Sequence, residues 1–322
     1  MDINLSHGSG GKDSLELVGE ILRRLKFDKK WIDKDDDAAA LKFRGEYIVF
    51  TTDSYIVDPI FFAGGDIGKL AVCGTINDLS VKGAEPLGLS LSFVIEDGFS
   101  KKDFDKILDS ISKISKKEKV PIVTGDTKVM EKGSVDKIII NTSGIGLAKK
   151  LIRNSGLSIG DVVVLSGSIG DHAVALLSKR FDYDSNLKSD CAPIFKEVNS
   201  VKKYLHACKD PTRGGIASVL NEIAEKSRVK IVIDEEAIPV KKETRAVSEL
   251  LGLDVYSLAC EGRFVCGTSL KNFDKVLKTL KKYSKDASII GKVEKGLGVV
   301  LKTEFGERFL DWPEGKLVPR IC

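Results

Sequence analysis

At 322 residues, with 42% apolar and 30% charged, the chain has the composition of an ordinary globular protein and the length for two cores, since single domains run to about 100–200 residues. Its net charge of +4 is spread over Lys-rich segments, which gives no case for nucleic acid or a membrane surface as partner. There is no spanning-length apolar run, no signal-peptide pattern after Met1 and no Cys-x-x-Cys pair among six cysteines, so a cytoplasmic protein without a disulfide framework or structural zinc is expected.

The glycines of Ser6-His-Gly-Ser-Gly-Gly-Lys12 let backbone N–H groups approach an anion, with Lys12 beside them as a point charge. The segment reads equally as a flexible N-terminus, and it is no Walker A loop, because Asp13 stands where Ser or Thr would bind the metal. Strands are predicted at Ala40–Phe43 and Tyr47–Thr52, and a helix over Asp66–Ser80 capped by Asp66. A capping box, Ser100-Lys-Lys-Asp103, opens a second helix with Phe104, Ile107, Leu108, Ile111 and Ile114 on one face. Further strands are predicted at Val120–Val123 and Lys137–Asn141.

Four aspartates stand at junctions or on a face that should be apolar. Asp37 ends the run Asp35-Asp-Asp37, whose other members read as solvated, and Asp53 is placed at the end of a strand in Thr-Thr-Asp-Ser. A helical step of about 100° puts Asp78 on the stripe of Ile67, Leu70, Ala71 and Gly74, where a carboxylate is costly unless it meets a cation. Asp126 follows a strand in Thr-Gly-Asp-Thr-Lys. A single Asp commonly caps a turn; four with no competing His or Cys cluster suit Mg²⁺ with phosphates completing its shell.

From Lys149 the pattern restarts, with strands at Asp161–Leu165, Lys230–Ile233, Phe264–Thr268, Ile289–Val293 and Gly298–Leu301, and helices near Ala173–Ser178, Ile216–Lys226 and Phe273–Tyr283. Gly167-Ser-Ile-Gly-Asp-His172 and Asp210-Pro-Thr-Arg-Gly-Gly215 each precede a helix, and each reads as an anion cradle or as plain capping. Interleaved strands and helices give an α/β or α+β protein of two domains, 1–148 and 149–309, with a tail over 310–322. Glu261, in a loop just before a strand, is a candidate general base, whereas Cys260 and Cys266 read as buried apolar residues. In the tail, Pro313 and Pro319 exclude a continuous helix, so Asp311–Cys322 could extend to about 40 Å. Arg320 is expected to offset in part the terminal carboxylate, which discourages ionisation of the Cys322 thiol to its reactive thiolate; the alternative is a frayed end with an incidental cysteine.

Taken together, Ser6-His-Gly-Ser-Gly-Gly-Lys, Thr51-Thr-Asp-Ser, Phe62-Ala-Gly-Gly-Asp-Ile-Gly-Lys-Leu-Ala, Gly74-Thr-Ile-Asn-Asp-Leu, Val123-Thr-Gly-Asp-Thr-Lys, Asp210-Pro-Thr-Arg-Gly-Gly and the ending Pro319-Arg-Ile-Cys resemble the HypE family, the carbamoyl dehydratases of [NiFe]-hydrogenase maturation. The resemblance runs from Ser6 to Cys322. It implies an aminoimidazole ribonucleotide synthetase-like fold, with an N-terminal domain that dimerises through its sheet and a C-terminal α/β domain. It implies ATP and Mg²⁺ along the N-terminal domain: Asp37, Asp53, Asp78 and Asp126 as metal and phosphate ligands, Gly8, Ser9, Gly10, Gly11 and Lys12 as phosphate contacts, and Asn77, Thr127 and Arg213 among the cofactor-binding residues. Lys128, Glu261 and Cys322 become the catalytic candidates, for dehydration of a carbamoyl group on the Cys322 sulfur to a thiocyanate. The implied partners are a second copy of the chain, the carbamoyltransferase HypF as donor and the HypC–HypD complex as cyanide acceptor. Selenophosphate synthetase is the nearest competitor, but it wants a reactive Cys or selenocysteine near the Gly-rich loop, and the first cysteine here is Cys73, inside a helix. A non-catalytic thiol carrier is the other alternative.

Overall fold

The computed structural model describes residues 2–314, 318 and 320–322; Pro319, invoked above for the tail, lies outside them. The first half runs α1 (Lys12–Arg24), β1 (Trp31–Ile32), β2 (Ala39–Phe43), β3 (Glu46–Tyr55), the short ribbon β4 (Phe61–Phe62) and β5 (Gly65–Asp66), α2 (Ile67–Val81), β6 (Glu85–Glu96), α3 (Lys101–Glu118), β7 (Ile122–Met130) and β8 (Ile138–Ala148). Its sheet has the order β1-β2-β3-β8-β6-β7. All neighbours are antiparallel except β6 and β7, between which α3 carries the chain back to make a parallel pair.

The residues of α2 are small or apolar almost all round, so the helix is buried on nearly every side, against the inner face of the sheet and against α3. Asp66 caps it as expected, its Oδ1 accepting from the N–H groups of Gly68 at 2.8 Å and Lys69 at 3.1 Å. Ile107, Ile111 and Ile114 of α3 are the buried residues of the predicted stripe. Each fully buried aliphatic side chain here, Leu70 or Ile76 for example, contributes roughly 1.5–3 kcal/mol.

The second half runs β9 (Val162–Leu165), α4 (Asp171–Arg180), α5 (Phe195–Val201), β10 (Leu205–Lys209), α6 (Gly215–Ser227), β11 (Lys230–Asp234), α7 (Lys242–Leu250), β12 (Val265–Thr268), α8 (Phe273–Leu280), β13 (Ser288–Glu294), β14 (Gly298–Thr303) and β15 (Gly306–Phe309). Its sheet, β10-β12-β9-β13-β11-β14-β15, is again mixed. Among the described residues no helix is long and apolar enough to cross a membrane.

Charges tie the two halves together. Lys82, just after α2 and fully buried, pairs with Asp33 at 3.1 Å and Asp36 at 2.7 Å, and Asp36 also meets Lys226 of α6 at 2.7 Å. Burial would raise the Asp36 carboxyl, but Lys82 and Lys226 together hold it below its ordinary value. Asp36 is therefore a clamp on the loop that carries Asp37 rather than part of a solvated run; only Asp35 is open to water.

Candidate active site

Three carboxylates converge where the halves meet. Asp37 comes from the loop before β2, Asp78 from the last turn of α2 and Asp210 from the turn after β10, and a ligand oxygen from each lies within 4.8 Å of the others. Asp78 Oδ2 accepts from Thr51 Oγ1 at 2.7 Å. Asp37 pairs with Lys209, a partly buried lysine that also faces Glu222 at 3.4 Å. Asp37 Oδ2 and Asp210 Oδ2 are buried with no hydrogen-bond partner among the described residues. Burial and mutual repulsion hold the Asp78 carboxyl well above its ordinary range, and burial with the charge of Asp37 brings Asp210 up to about 7. One lysine does not balance three carboxylates. Hard oxygen donors with two unsatisfied atoms are what Mg²⁺ takes, so the residues present fit that ion.

Asp53 joins this group from within β3 rather than from its end. Its Oδ2 accepts from Thr75 Oγ1 at 3.3 Å and Tyr55 Oη at 3.4 Å. Gly74 makes room for that tyrosine, since a Cβ there would stand 2.2 Å from its hydroxyl oxygen.

The tail brings Cys322 to the same place. Segment 56–58 grips it, with Ile56 N–H donating to the Cys322 carbonyl at 3.2 Å and Asp58 N–H to that of Arg320 at 3.1 Å. Arg320 binds Asp136 and the Ile56 carbonyl, so it is not the cation beside the thiol. That role falls to Arg213: Cys322 is foremost among the groups that raise its pKa, followed by Asp53 and Glu261 against the opposing effect of burial. Burial pushes the Cys322 thiol up to about 12 despite Arg213, and Glu261, Asp53 and Asp210 push the same way. The inward thiol is therefore protonated, and the help expected from Arg320 toward its ionisation is not given by that residue. Glu261 is buried, its Oε1 has no hydrogen-bond partner among the described residues, and desolvation holds its carboxyl well above the usual range.

The glycine-rich loop lies against this site. A cavity of 310 Å³ is lined by Gly8, Ser9, Arg213, Ile321 and Cys322, among others. Arg213 Nη1 reaches the Gly8 carbonyl at 3.4 Å, and a Cβ on Gly10 would meet Arg213 Cβ at 2.4 Å, so the close approach of loop and arginine requires glycine. Gly11 caps α1, whose first residue, Lys12, extends outward to Glu314 at 3.5 Å. A larger cleft of 1320 Å³, between α1 and residues 308–314, includes neither Cys322 nor any of the clustered carboxylates.

Other candidates lie elsewhere. The Asn77 side chain donates to the carbonyls of Ala192 at 3.1 Å and Glu261 at 3.2 Å and accepts from Ile194 N–H at 2.9 Å; fully buried, it fixes the Glu261 loop instead of contacting a nucleotide. Asp126, Thr127 and Lys128 are exposed on β7, inside the strand rather than after it, with Lys128 on Asp126 at 2.9 Å. Asp53 is level with Gly125 across β8 and β6, so Asp126 and Lys128 face the opposite side of the sheet, about 14 Å away at strand spacing. A single chain does not bring them to Cys322. Asp171 of the second glycine-rich turn binds Ser168, Thr244 and Lys241 internally, so that turn is no anion cradle. Asp210 and Lys209 were missed in the sequence; Asp210 opens a motif noted only for its arginine and glycines.

Known proteins share this architecture. Residues 35–148 match the AIR synthase related protein, N-terminal domain, and residues 158–303 the C-terminal domain. The chain is 44% identical to a carbamoyl dehydratase HypE of Rhizobium leguminosarum bv. viciae over 99% of this chain and 95% of that protein. Among solved structures, a HypE–HypF complex superposes with a TM-score of 0.86 at 43% identity, over 92% of this chain and 99% of the other. A HypE in complex with ATP gives 0.83 at 38%, over the whole of both chains.

Proposed function

The chain belongs to the AIR synthase related family and, within it, to the HypE carbamoyl dehydratases; from that membership we propose that it uses ATP to dehydrate a carbamoyl group carried on the Cys322 sulfur, leaving a thiocyanate for hydrogenase maturation. The observation that supports this reading most is the meeting of Cys322, Arg213 and Glu261 with the carboxylates of Asp37, Asp53, Asp78 and Asp210.

A site that keeps the thiol protonated is a poor place to load it and a good place to hold a neutral thiocarbamate. The amide oxygen leaves badly, so the first step transfers the γ-phosphoryl group of ATP to that oxygen, with loss of one N–H proton, giving an S-bound imidoyl phosphate and ADP. A base then takes the second N–H proton, the C–O bond breaks, and phosphate leaves as the C≡N bond forms. Glu261 is that base. Its buried, unpartnered Oε1 is a strong proton acceptor once ionised, and Arg213 offsets the charge. Asp37, Asp78 and Asp210 would hold Mg²⁺, with Asp53 beside them, and the ion would supply neutralisation of phosphate charge. The backbone of Gly8 and Ser9 lines the same cavity as Cys322 and suits a phosphate.

Lys128 and Asp126 enter this reading through a second copy of the chain. β7 is an edge strand, and the face of the sheet that carries Asp126 and Lys128 also exposes Phe50 and Ile145, a surface suited to pairing across the sheet. In such a homodimer Lys128 would stabilise charge during phosphoryl transfer at the partner's site. A HypF-type carbamoyltransferase is the donor and a HypC–HypD complex the acceptor in this reading, in the cytoplasm. The test is phosphate release from Mg-ATP: one equivalent per carbamoylated Cys322 and none from the unmodified or Cys322→Ala protein. ATP turnover at the same rate without the carbamoyl group contradicts the proposal, and absence of turnover with it favours a carrier.

A further inference from the structure

His172 belongs to a motif that the reaction above does not use, yet it touches the tail. The ring is fully buried, stacked edge-on against Phe62 with centroids 5.3 Å apart. Its Nε2 lies 2.8 Å from the Ile321 carbonyl and its Nδ1 2.8 Å from Ser189 Oγ. Ser189 Oγ accepts from the Cys191 N–H at 3.0 Å, and because the Ile321 carbonyl can only accept, Nε2 of the neutral ring carries the hydrogen and Ser189 Oγ donates to Nδ1. This leaves Nδ1 as acceptor and Nε2–H as donor, in the one neutral tautomer that serves the Ile321 carbonyl. Among the described residues the ring's outward partner is the peptide next to Cys322, and when that peptide leaves, a buried N–H is left unpaired.

Resting on the dehydratase reading, we infer that His172 is a positioning residue for Cys322: its Nε2–H, with Nδ1 anchored on Ser189, holds the Ile321 carbonyl and so fixes the sulfur beside Arg213 and Glu261. Arg180, which donates to the Arg320 carbonyl at 3.2 Å and by Nε to that of Asp58 at 3.1 Å, supports the same stretch from its other side.

The test is alkylation of the full chain by iodoacetamide without ATP or carbamoyl donor, read by mass spectrometry on the peptide carrying Cys322; the other five cysteines are buried. His172→Leu should raise the rate about tenfold, the factor expected for losing one such hydrogen bond. His172→Gln, whose amide N–H can serve the same carbonyl, should stay within about twofold of the parent. A Leu variant that reacts at the parent rate, or a Gln variant that reacts like Leu, overturns the inference. If the Leu variant does not fold, Ser189→Ala serves instead, with a rise of several-fold expected and an unchanged rate contradicting. In single turnover of the carbamoylated protein, His172→Leu should lower the dehydration rate and leave the KM for ATP unchanged; an unaltered rate overturns the inference. Alkylation involves neither ATP nor the carbamoyl group, so parental protein that fails to dehydrate refutes the functional reading alone.

Discussion

Asp210→Asn separates the cost of the acidic cluster from its use. The Asp210 carboxyl is raised from 3.8 to about 7, by burial first and then by the charge of Asp37. A folded-state value above the unfolded one means stability that is present below pH 3.8 and lost as pH rises toward 7, so at pH 8 the whole penalty is in force. At about 1.4 kcal/mol per pH unit, with Asp37 sharing the repulsion, that is on the order of 2–4 kcal/mol. Asparagine keeps the shape and removes the charge. Without ligand, the variant should melt roughly 4–8 °C higher at pH 8, taking about 2 °C per kcal/mol for a chain of this size. Mg-ATP at about 100 times its Kd should stabilise the parent by about 2.7 kcal/mol, and the variant by almost nothing. Differential scanning fluorimetry with and without Mg-ATP, at pH 5 and pH 8, reads both effects. A variant that melts lower than the parent without ligand and gains as much from Mg-ATP would refute the assignment.

Glu261→Gln should lower the dehydration rate by about 10²–10⁴ and let the carbamoylated form accumulate with ATP affinity intact; single-turnover mass measurement checks this, and near-parental turnover removes Glu261 as base. Mixing Lys128→Ala with Cys322→Ala should restore about a quarter of parental activity, because half the dimers are mixed and each has one complete site; no recovery after subunit exchange argues against action across the dimer. Burial lowers the His172 pKa from 6.5 to about 4, with the Ile321 carbonyl opposing and Lys69 reinforcing. Its contribution to stability is thus present above pH 6.5 and lost as pH falls to about 4, amounting to about 3 kcal/mol. Urea unfolding from pH 7 to pH 4 should show that loss in the parent and not in His172→Gln, and parallel curves would contradict it.

Much of the fold was legible because its strands and helices carry their periodicity openly: α2 with its Asp66 cap and α3 with its Ile107, Ile111 and Ile114 stripe needed no tertiary information. What was missed lacked that signal. β7 is polar along most of its length because an edge strand has few apolar neighbours to satisfy, so Thr124–Lys128 read as a loop. β6 opens Glu-Pro-Leu-Gly, which reads as a turn, and β10, Leu-His-Ala-Cys-Lys, has no β-branched residue. At the site, Asp78 stood out because a carboxylate on an apolar stripe needs an explanation. Asp210 did not, because its meaning depends on Asp37 lying close in space and far in sequence. The bonds of Asn77 were illegible for the same reason, as its polar groups are satisfied by backbone far away in the chain. The thiol was misjudged on charge, since Arg320 is its neighbour in sequence and Arg213 its neighbour in space.

The most direct measurement is mass spectrometry of the peptide carrying Cys322 after incubation with a carbamoyltransferase, carbamoyl phosphate and Mg-ATP. The expected record is gain of one carbamoyl group on Cys322 followed by loss of one water from that same peptide, with the second step absent in Glu261→Gln. A peptide that stays unmodified while ATP is consumed, or one that keeps its carbamoyl group through complete ATP turnover, would contradict dehydration on this sulfur.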